Sequence, residues 1–504
     1  MHAAAHASPP AYDQGLKLSS QGRHLEAISC FEQALAQRPD DIRTLFALGN
    51  TARALGLVQP AAEFFRKVLA QDPERLEALV NLANLLRAEG RFEAARALLE
   101  PALARNPQSP DLLLTLGSAW REAGDHARAM EFYRAALAVR PDYPAALSNL
   151  ADLLSDDGKF EDARDLYDRA IKADPRNAQA RLNRAMLHLQ TGNLKEGWRD
   201  YAARSDITGK VPAATLNLAE WRGEPLKRAR LLVRAEQGVG DQIMFMSVMP
   251  DLLARAASEG GTVVLESEPR LVSLLARSFP GATVKPQALA TVNGTITADY
   301  GWLKAAGGAN AVTLMGSLPR WLRPRLDSFP GRNAFLTPDA TEQAHWKKIF
   351  AGLGGSPLIG LCWRSGKSGG HRSAQYAPLD AWGAFLRTLP GTLVSCQYDA
   401  APDEIAALET LSGRPIFVPP ALEQKNELDR TAAMLSALDV LVSAPTAVSW
   451  LGAGTGTRTL KLLYDTSWTA FGQSYEPLAP SCRCIMPGTR GDWRDVFEKA
   501  AALI

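Results

Sequence analysis

Along the N-terminal part of the chain, bulky and small positions recur in fixed columns 34 residues apart. The bulky column reads Phe31, Phe65, Leu99, Tyr133, Tyr167 and Tyr201. One small column reads Ala27, Ala61, Ala95, Ala129, Ala163 and Gly197, and a second reads Gly15, Gly49, Ala83, Gly117, Ala151 and Ala185. Glycines keep the same step from Gly22 through Gly56, Gly90, Gly124 and Gly158 to Gly192, and prolines do so from Pro39 to Pro175. The pattern predicts two helices per unit. The glycine after the first helix supplies a left-handed residue, and the proline closes the second. Small residues sit where two helices approach closely, and the bulky residue fills the space between them.

From about Ala229 the period changes to apolar bursts separated by loops and amphipathic stretches. A-R-L-L-V-R-A, G-T-V-V-L-E-S-E and A-T-V-K-P read as strands, with helices expected over Gln242 to Ala257 and Leu271 to Ser278. Glycine-rich text without a clear period follows to about Pro338. The pattern then restarts with P-L-I-G-L-C-W-R-S-G, G-T-L-V-S-C-Q, P-I-F-V-P, D-V-L-V-S-A and T-R-T-L-K-L-L, and a helix from Asp492 closes it. Strands alternating with helices predict parallel sheets covered on both faces. Two such runs predict two Rossmann-like lobes, with the chemistry on loops at the carboxyl ends of the strands. The expected organisation is a disordered 1–7, helical repeats over 8–205 (five full, one degenerate), a linker at 206–228, a first lobe at 229–345 and a second at 346–504.

A 34-residue unit with these columns resembles the tetratricopeptide repeat. Such stacks bind proteins or peptides in a groove. Asn81, Asn149 and Asn183 share one repeat position with Thr115, and asparagine amides offer both donors and an acceptor to an extended peptide. A similar asparagine ladder lines the groove of repeat-bearing protein O-GlcNAc transferases, which this layout resembles. The bland alternative is bonding between neighbouring helix turns.

Composition narrows the classes. Lys plus Arg number 56 against 54 for Asp plus Glu, a formal charge of +2, so no global basic field favours nucleic acid. No apolar run reaches the roughly 18 residues that a membrane span needs, and the first residues do not read as a secretory signal. Five cysteines, an odd and sparse set, fit reduced thiols in a cytoplasmic protein. No D-x-D pair at a strand end, H-x-x-E or C-x-x-C set points to a metal, and no cofactor is expected. E-Q-G-V-G-D is no dinucleotide fingerprint, because the third glycine of G-x-G-x-x-G is missing.

The segment E-Q-G-V-G-D-Q-I-M-F, Glu236 to Phe245, is similar to the first loop of heptosyltransferase-like GT-B proteins. Further matches follow at Ser317 to Pro319, at I-G-L-C-W from Ile359, at Arg372 and Ser373, and at L-D-V-L-V-S-A-P-T from Leu438. The order of domains resembles bacterial flagellin glycosyltransferases. The resemblance implies a multidomain protein: an all-α tetratricopeptide-repeat superhelix, then an α/β GT-B domain with an acceptor-side first lobe and a nucleotide-sugar-side second lobe. It implies metal-independent transfer of a nonulosonic acid such as pseudaminic acid, from a CMP-linked nucleotide sugar to Ser/Thr hydroxyls of flagellin.

An acceptor hydroxyl needs a base. Asp241 follows two glycines at a strand-to-helix turn and matches the loop aspartate of the resembled enzymes; Glu236 and His371 are the alternatives, and capping of the helix is the other reading of Asp241. Gly238 and Gly240 let backbone amides approach an anion at a helix start. On the second lobe, Trp363, Arg364, Ser365, Lys367 and Arg372 form a basic loop suited to donor phosphate. Gln397, Ser443, Pro445 and Thr446 lie at neighbouring strand ends. Where the wider family reads D-T-S with a later histidine, this chain has Pro445, Thr446, Ala447 and Trp450, a departure that leaves open a non-catalytic scaffold or chaperone. A heptosyltransferase-like enzyme acting on glycan or lipid is the remaining alternative.

Overall fold

The computed structural model describes residues 10–292, 294–366 and 375–504. The chain divides into two compact units, Met1–Arg176 and Asn177–Ile504.

The first unit is all helical: α1 (Pro10–Ser20), α2 (His24–Gln37), α3 (Ile42–Ala54), α4 (Val58–Gln71), α5 (Leu76–Ala88), α6 (Phe92–Arg105), α7 (Pro110–Glu122), α8 (His126–Val139), α9 (Pro144–Asp156) and α10 (Phe160–Ala173). They pack as five successive pairs. The columns account for the packing. Phe31, Phe65, Leu99, Tyr133 and Tyr167 are all buried, and a Cβ added at Gly15 would stand 2.5 Å from the Phe31 ring. Gly22 and its equivalents to Gly192 take φ between 73° and 91°, the left-handed turn between paired helices. Asp41, Ser109 and Asp125 cap α3, α7 and α8 with their side chains.

The second unit begins with the sixth helix pair, α11 (Ala178–Gln190) and α12 (Leu194–Tyr201), followed by a short turn of helix at Ala202–Asp206. Twelve helices among the described residues thus precede the α/β region.

That region opens with β1 (Ala219–Glu220) and β2 (Arg230–Arg234), then α13 (Val239–Met246), α14 (Met249–Glu259), β3 (Thr262–Ser267), α15 (Val272–Ser278) and β4 (Ala282–Pro286). A hairpin of β5 (Leu289–Val292) and β6 (Thr295–Ala298) and the strand β7 (Ala311–Leu314) precede α16 (Leu318–Leu322). The order β1-β7-β2-β3-β4 forms one wholly parallel sheet.

Next come α17 (Ala340–Ala351), β8 (Leu358–Cys362), α18 (Leu379–Thr388), β9 (Thr392–Ser395), α19 (Pro402–Ser412), β10 (Ile416–Phe417), α20 (Leu428–Leu435) and β11 (Val440–Ser443). They are followed by α21 (Ala447–Gly454), β12 (Thr459–Leu462), β13 (Tyr475–Glu476), β14 (Ala479–Ile485) and α22 (Trp493–Ala501). The second sheet runs β10-β9-β8-β11-β12-β14-β13, parallel except for β13.

Three expectations are corrected. The helix expected over Gln242 to Ala257 is two helices, α13 and α14, with a break at Ser247 and Val248. Pro250 lacks an amide hydrogen, and its ring excludes the carbonyl four residues back. The glycine-rich stretch before Pro338 holds β7, an inner strand of the first sheet. The segment read as a linker at 206–228 supplies the edge strand β1.

Candidate functional site

Both sheets reverse their winding beside a central strand, and ligand crevices form outside the carboxyl ends of strands at such reversals. In the first sheet the reversal lies between β2 and β7, in the second between β8 and β11. Among the described candidates, Glu236, Gly238, Gly240 and Asp241 follow β2, Trp363, Arg364 and Ser365 follow β8, Ser443, Pro445 and Thr446 end or follow β11, and Gln397 follows the neighbouring β9.

The loop after β2 runs into α13, with Gly238 as its N-cap. The Gly238 amide donates to Asp241 Oδ2 at 3.2 Å, so this carboxylate does cap its own helix. It is also half-buried. Burial pushes the Asp241 carboxyl above its usual range and the nearby Glu236 adds to the rise, while the Gly238 amide and the Lys210 ammonium pull against it. Gly240 stands against the start of α21, where a Cβ would lie 3.3 Å from Ala447 Cα. The helix starts α13 and α21, one from each sheet, therefore meet.

Glu236 is held differently. Its two oxygens accept from Arg204 Nε and Nη2, each at 2.7 Å, and Oε1 also accepts the Gly316 amide at 2.8 Å. Both side chains are buried, Arg204 at 2% exposure and Glu236 at 0%. Arg204 Nη2 further donates to Ser317 Oγ at 3.0 Å, so the loops after β2 and β7 are tied through one guanidinium. A carboxylate held by three donors is poorly placed to collect a proton from a substrate.

Across from this, Gln397 organises the loop after β8. Its Oε1 accepts the amides of Trp363 and Arg364, both at 2.9 Å, and its Nε2 donates to the carbonyls of Arg364 and Tyr398. Arg364 forms a two-pronged ion pair with Glu404 at the start of α19 and donates to the Asp399 carbonyl. The Trp363 ring lies in the core beneath the second sheet. Ser365 Oγ accepts from the Tyr398 hydroxyl at 3.3 Å. Ser443 is buried and donates to the Ala444 carbonyl, Pro445 is exposed, and Thr446 is the N-cap of α21 with its hydroxyl 3.5 Å from Cys362 Sγ. Burial pushes the Cys362 thiol up to about 11, which disfavours a thiolate nucleophile. Lys367, His371 and Arg372 lie outside the described residues.

In the repeats, Asn81 Nδ2 donates to Asn50 Oδ1 at 3.0 Å and Asn149 Nδ2 to Ser118 Oγ at 3.4 Å, so both bridge to the preceding unit. Thr115 is buried and donates to its own helix at Asp111. In the second unit, Asn183 accepts from Gln179 at 2.6 Å.

Several site residues escaped the sequence reading. Arg204 and Tyr201 of the sixth pair reach the loop after β2, where Gln237 Nε2 donates to the Tyr201 hydroxyl at 2.9 Å. At the end of β3, Glu266 Oε2 accepts the Ala235 amide and the Tyr300 hydroxyl, both at 2.9 Å, and burial raises its pKa. Tyr201 carries a recoverable signal, because it occupies the bulky column of the sixth unit. Glu266 and Arg204 carry none, since their partners are set by tertiary placement.

Comparison with known proteins separates the two parts of the chain. The tetratricopeptide-repeat family model matches residues 12–75, 80–144 and 148–209, and a second such model matches 121–169. The chain carries tetratricopeptide repeats there, followed by a mixed α/β region. It is 31% identical over 328 residues to Protein FlbA of Caulobacter vibrioides, covering 65% of this chain and 55% of that protein. The chain thus spans about half the length of that relative. An alignment of 328 residues exceeds the repeat stretch, so the similarity extends into the α/β region. Among solved structures, a tetratricopeptide-repeat protein of Thermus thermophilus is 29% identical over 36% of this chain and 100% of its own, with a TM-score of 0.33. PilF of Pseudomonas aeruginosa is 22% identical over 39% of this chain and 88% of its own, with a TM-score of 0.33. No helix among the described residues is long and apolar enough to cross a membrane.

Proposed function

We propose that the chain is a protein O-glycosyltransferase in which the two sheets form the lobes of a GT-B domain and the repeats recruit a polypeptide acceptor. The observation that carries this reading is the meeting of α13 and α21 at the winding reversals of the two sheets, with the half-buried Asp241 at the junction. Helix starts with glycine or threonine at the cap offer amide hydrogens to a phosphate. A carboxyl whose pKa is raised by burial is a better proton acceptor at neutral pH than an ordinary aspartate.

In the proposed reaction the acceptor hydroxyl oxygen attacks the anomeric carbon of a nucleotide sugar. The bond from that carbon to the phosphate oxygen breaks, the nucleotide leaves as an anion held by helix-start amides, and the hydroxyl proton passes to Asp241. Protein cations and amides take the place of a metal in this scheme. Flagellin as acceptor, a CMP-linked nonulosonic acid such as pseudaminic acid as donor, and a cytoplasmic setting rest on the resemblance in domain order.

A second reading, a repeat scaffold or chaperone with an inactive α/β domain, draws on Arg364 and Glu236, both already engaged by protein partners. Intact-mass spectrometry of acceptor proteins from cells carrying the natural chain or Asp241→Ala separates the two. A sugar-sized mass present with the natural chain and lost in the variant supports transfer; acceptor masses unchanged on deleting the whole gene, while the natural chain still binds the acceptor, would leave the scaffold.

A further inference from the structure

The sixth helix pair has more work to do than close a repeat array. Tyr201 stands in the bulky column that elsewhere fills the space between paired helices, but its hydroxyl reaches out of the pair to Gln237 Nε2 at 2.9 Å. Gln237 has φ of 60°, a left-handed conformation that a side-chain-bearing residue takes only when its surroundings hold it there. One residue back, Glu236 is gripped by Arg204, which follows α12. The Arg204 guanidinium also lies over the Tyr201 ring, 4.6 Å from its centre, and donates to the Tyr201 carbonyl at 3.0 Å. Two consecutive loop residues are thus fixed by two side chains of the sixth unit, three residues apart in sequence. The next residues are Gly238, the cap of α13, and then the turn bearing Asp241.

The same unit also touches the second sheet's region. The Trp198 ring packs edge-on against Phe471 at 5.6 Å and Trp468 at 6.5 Å, and Gln190 donates to Thr466. Tyr201 in turn lies 5.6 Å from Trp468 and 6.2 Å from Phe245 of α13. Gly316 completes the arrangement: a Cβ there would stand 2.8 Å from Glu236 Oε1 and 3.1 Å from Arg204 Nη2, so the loop after β7 closes over the ion pair.

From this we infer that Arg204 and Tyr201 are positioning residues of the transfer site, holding the 236–238 loop so that α13 presents Asp241 to the junction with α21. The inference rests on the transferase reading above for its kinetic consequence, and on the geometry alone for its structural one. A base displaced by about 1 Å loses on the order of 10²-fold in rate.

The test uses the full chain with Tyr201→Phe, which removes one hydroxyl and keeps the packed ring, and Arg204→Lys, which keeps the charge and loses the two-pronged grip. Amide hydrogen exchange is followed peptide by peptide, and transfer is measured on a purified acceptor. Faster exchange confined to the 235–246 segment is expected in both variants. The maximal rate should fall by about 10- to 100-fold, with KM for the acceptor unchanged. Unchanged exchange in that segment, a rise spread evenly over Asn177–Ile504, or an effect on KM alone would overturn the assignment. If the natural chain itself transfers no sugar, the transferase reading fails, and the exchange pattern still decides whether Tyr201 and Arg204 hold the loop.

Discussion

Gly240 and Ala447 face each other across the meeting of the two sheets, the only Cβ of the pair belonging to Ala447. A methyl group added to Gly240 would come within 3.3 Å of Ala447 Cα and 3.5 Å of its Cβ and amide nitrogen. Each residue belongs to the first turns of a helix that leaves a strand at a reversal of winding. The contact therefore sets how closely two potential anion-holding helix starts approach.

Replacing Gly240 by valine is expected to push α13 and α21 apart. Overpacking of this kind typically destabilises by about 1–3 kcal/mol. Denaturant unfolding of the full chain should show a lowered midpoint for the unfolding of the α/β region. Sugar transfer should fall more steeply than stability does, because both helix starts move. A variant with natural stability and natural transfer would show that the close approach has no role.

The Arg204–Glu236 pair lends itself to a double-mutant cycle. Removing one partner of a buried ion pair leaves the other charge without compensation, at about 3–5 kcal/mol. Arg204→Met and Glu236→Leu should each destabilise by that order, and the double variant should recover most of the loss. Additive losses in the cycle would mean that the two side chains act independently, against the geometry that joins them to Gly316 and Ser317.

The repeats were legible because each unit restates the same local constraints. A glycine at φ of 73–91° follows the first helix of every unit and a small residue lies under the bulky side chain, so six copies carry the signal. Strands such as β2, β3, β8 and β11 were legible as apolar bursts, as expected where both faces of a parallel sheet are covered. The β7 strand was not, because Ala-Val-Thr-Leu is short and sits in glycine-rich text. Nor could the sequence say that Arg364 pairs with Glu404 or that Glu236 pairs with Arg204. Those partners lie 40 and 32 residues away and meet only when the loops are in place. Asp241 carried both its readings in the sequence, and the structure shows the cap together with a half-buried carboxyl whose pKa is raised.

In the repeats, Gly49 and Gly117 leave no room for a β-branched residue while the facing ring stays in place. A Cβ at either would stand 2.7 Å from the facing ring, Phe65 or Tyr133. Gly117→Val is expected to destabilise the first unit by about 1–3 kcal/mol. Pairing it with Tyr133→Leu should restore part of the loss, because the shorter side chain yields space at the cost of the Tyr133 hydroxyl bond to Ser118. Circular dichroism at helical wavelengths during thermal unfolding reads both effects. A Gly117→Val chain that melts like the natural one would show that the ring is free to move aside.

The pH behaviour of Asp241 tests its assignment most directly. Burial is the largest influence on this carboxyl and raises its pKa, with Glu236 adding to the rise. A base must be ionised to accept a proton, so the acid limb of the transfer rate should lie above the ordinary aspartate value of about 3.9. Replacing Glu236 by glutamine removes a like charge and should move that limb to lower pH. Asp241→Asn should lower the rate by about 10²- to 10⁴-fold across the range, the usual contribution of a positioned base. Stability should run the other way. A carboxyl with a raised pKa in the folded state stabilises fully below its unfolded pKa, and that contribution is lost as pH rises through the folded pKa. At neutral pH the Asn variant should therefore be the more stable protein, and its advantage should shrink as the pH falls through the folded pKa. Unfolding midpoints and transfer rates measured on the same two proteins over pH 3 to 8 decide the matter. An acid limb at or below the ordinary aspartate value, or an Asn variant less stable than the natural chain at neutral pH, would show that Asp241 serves only as the cap of α13.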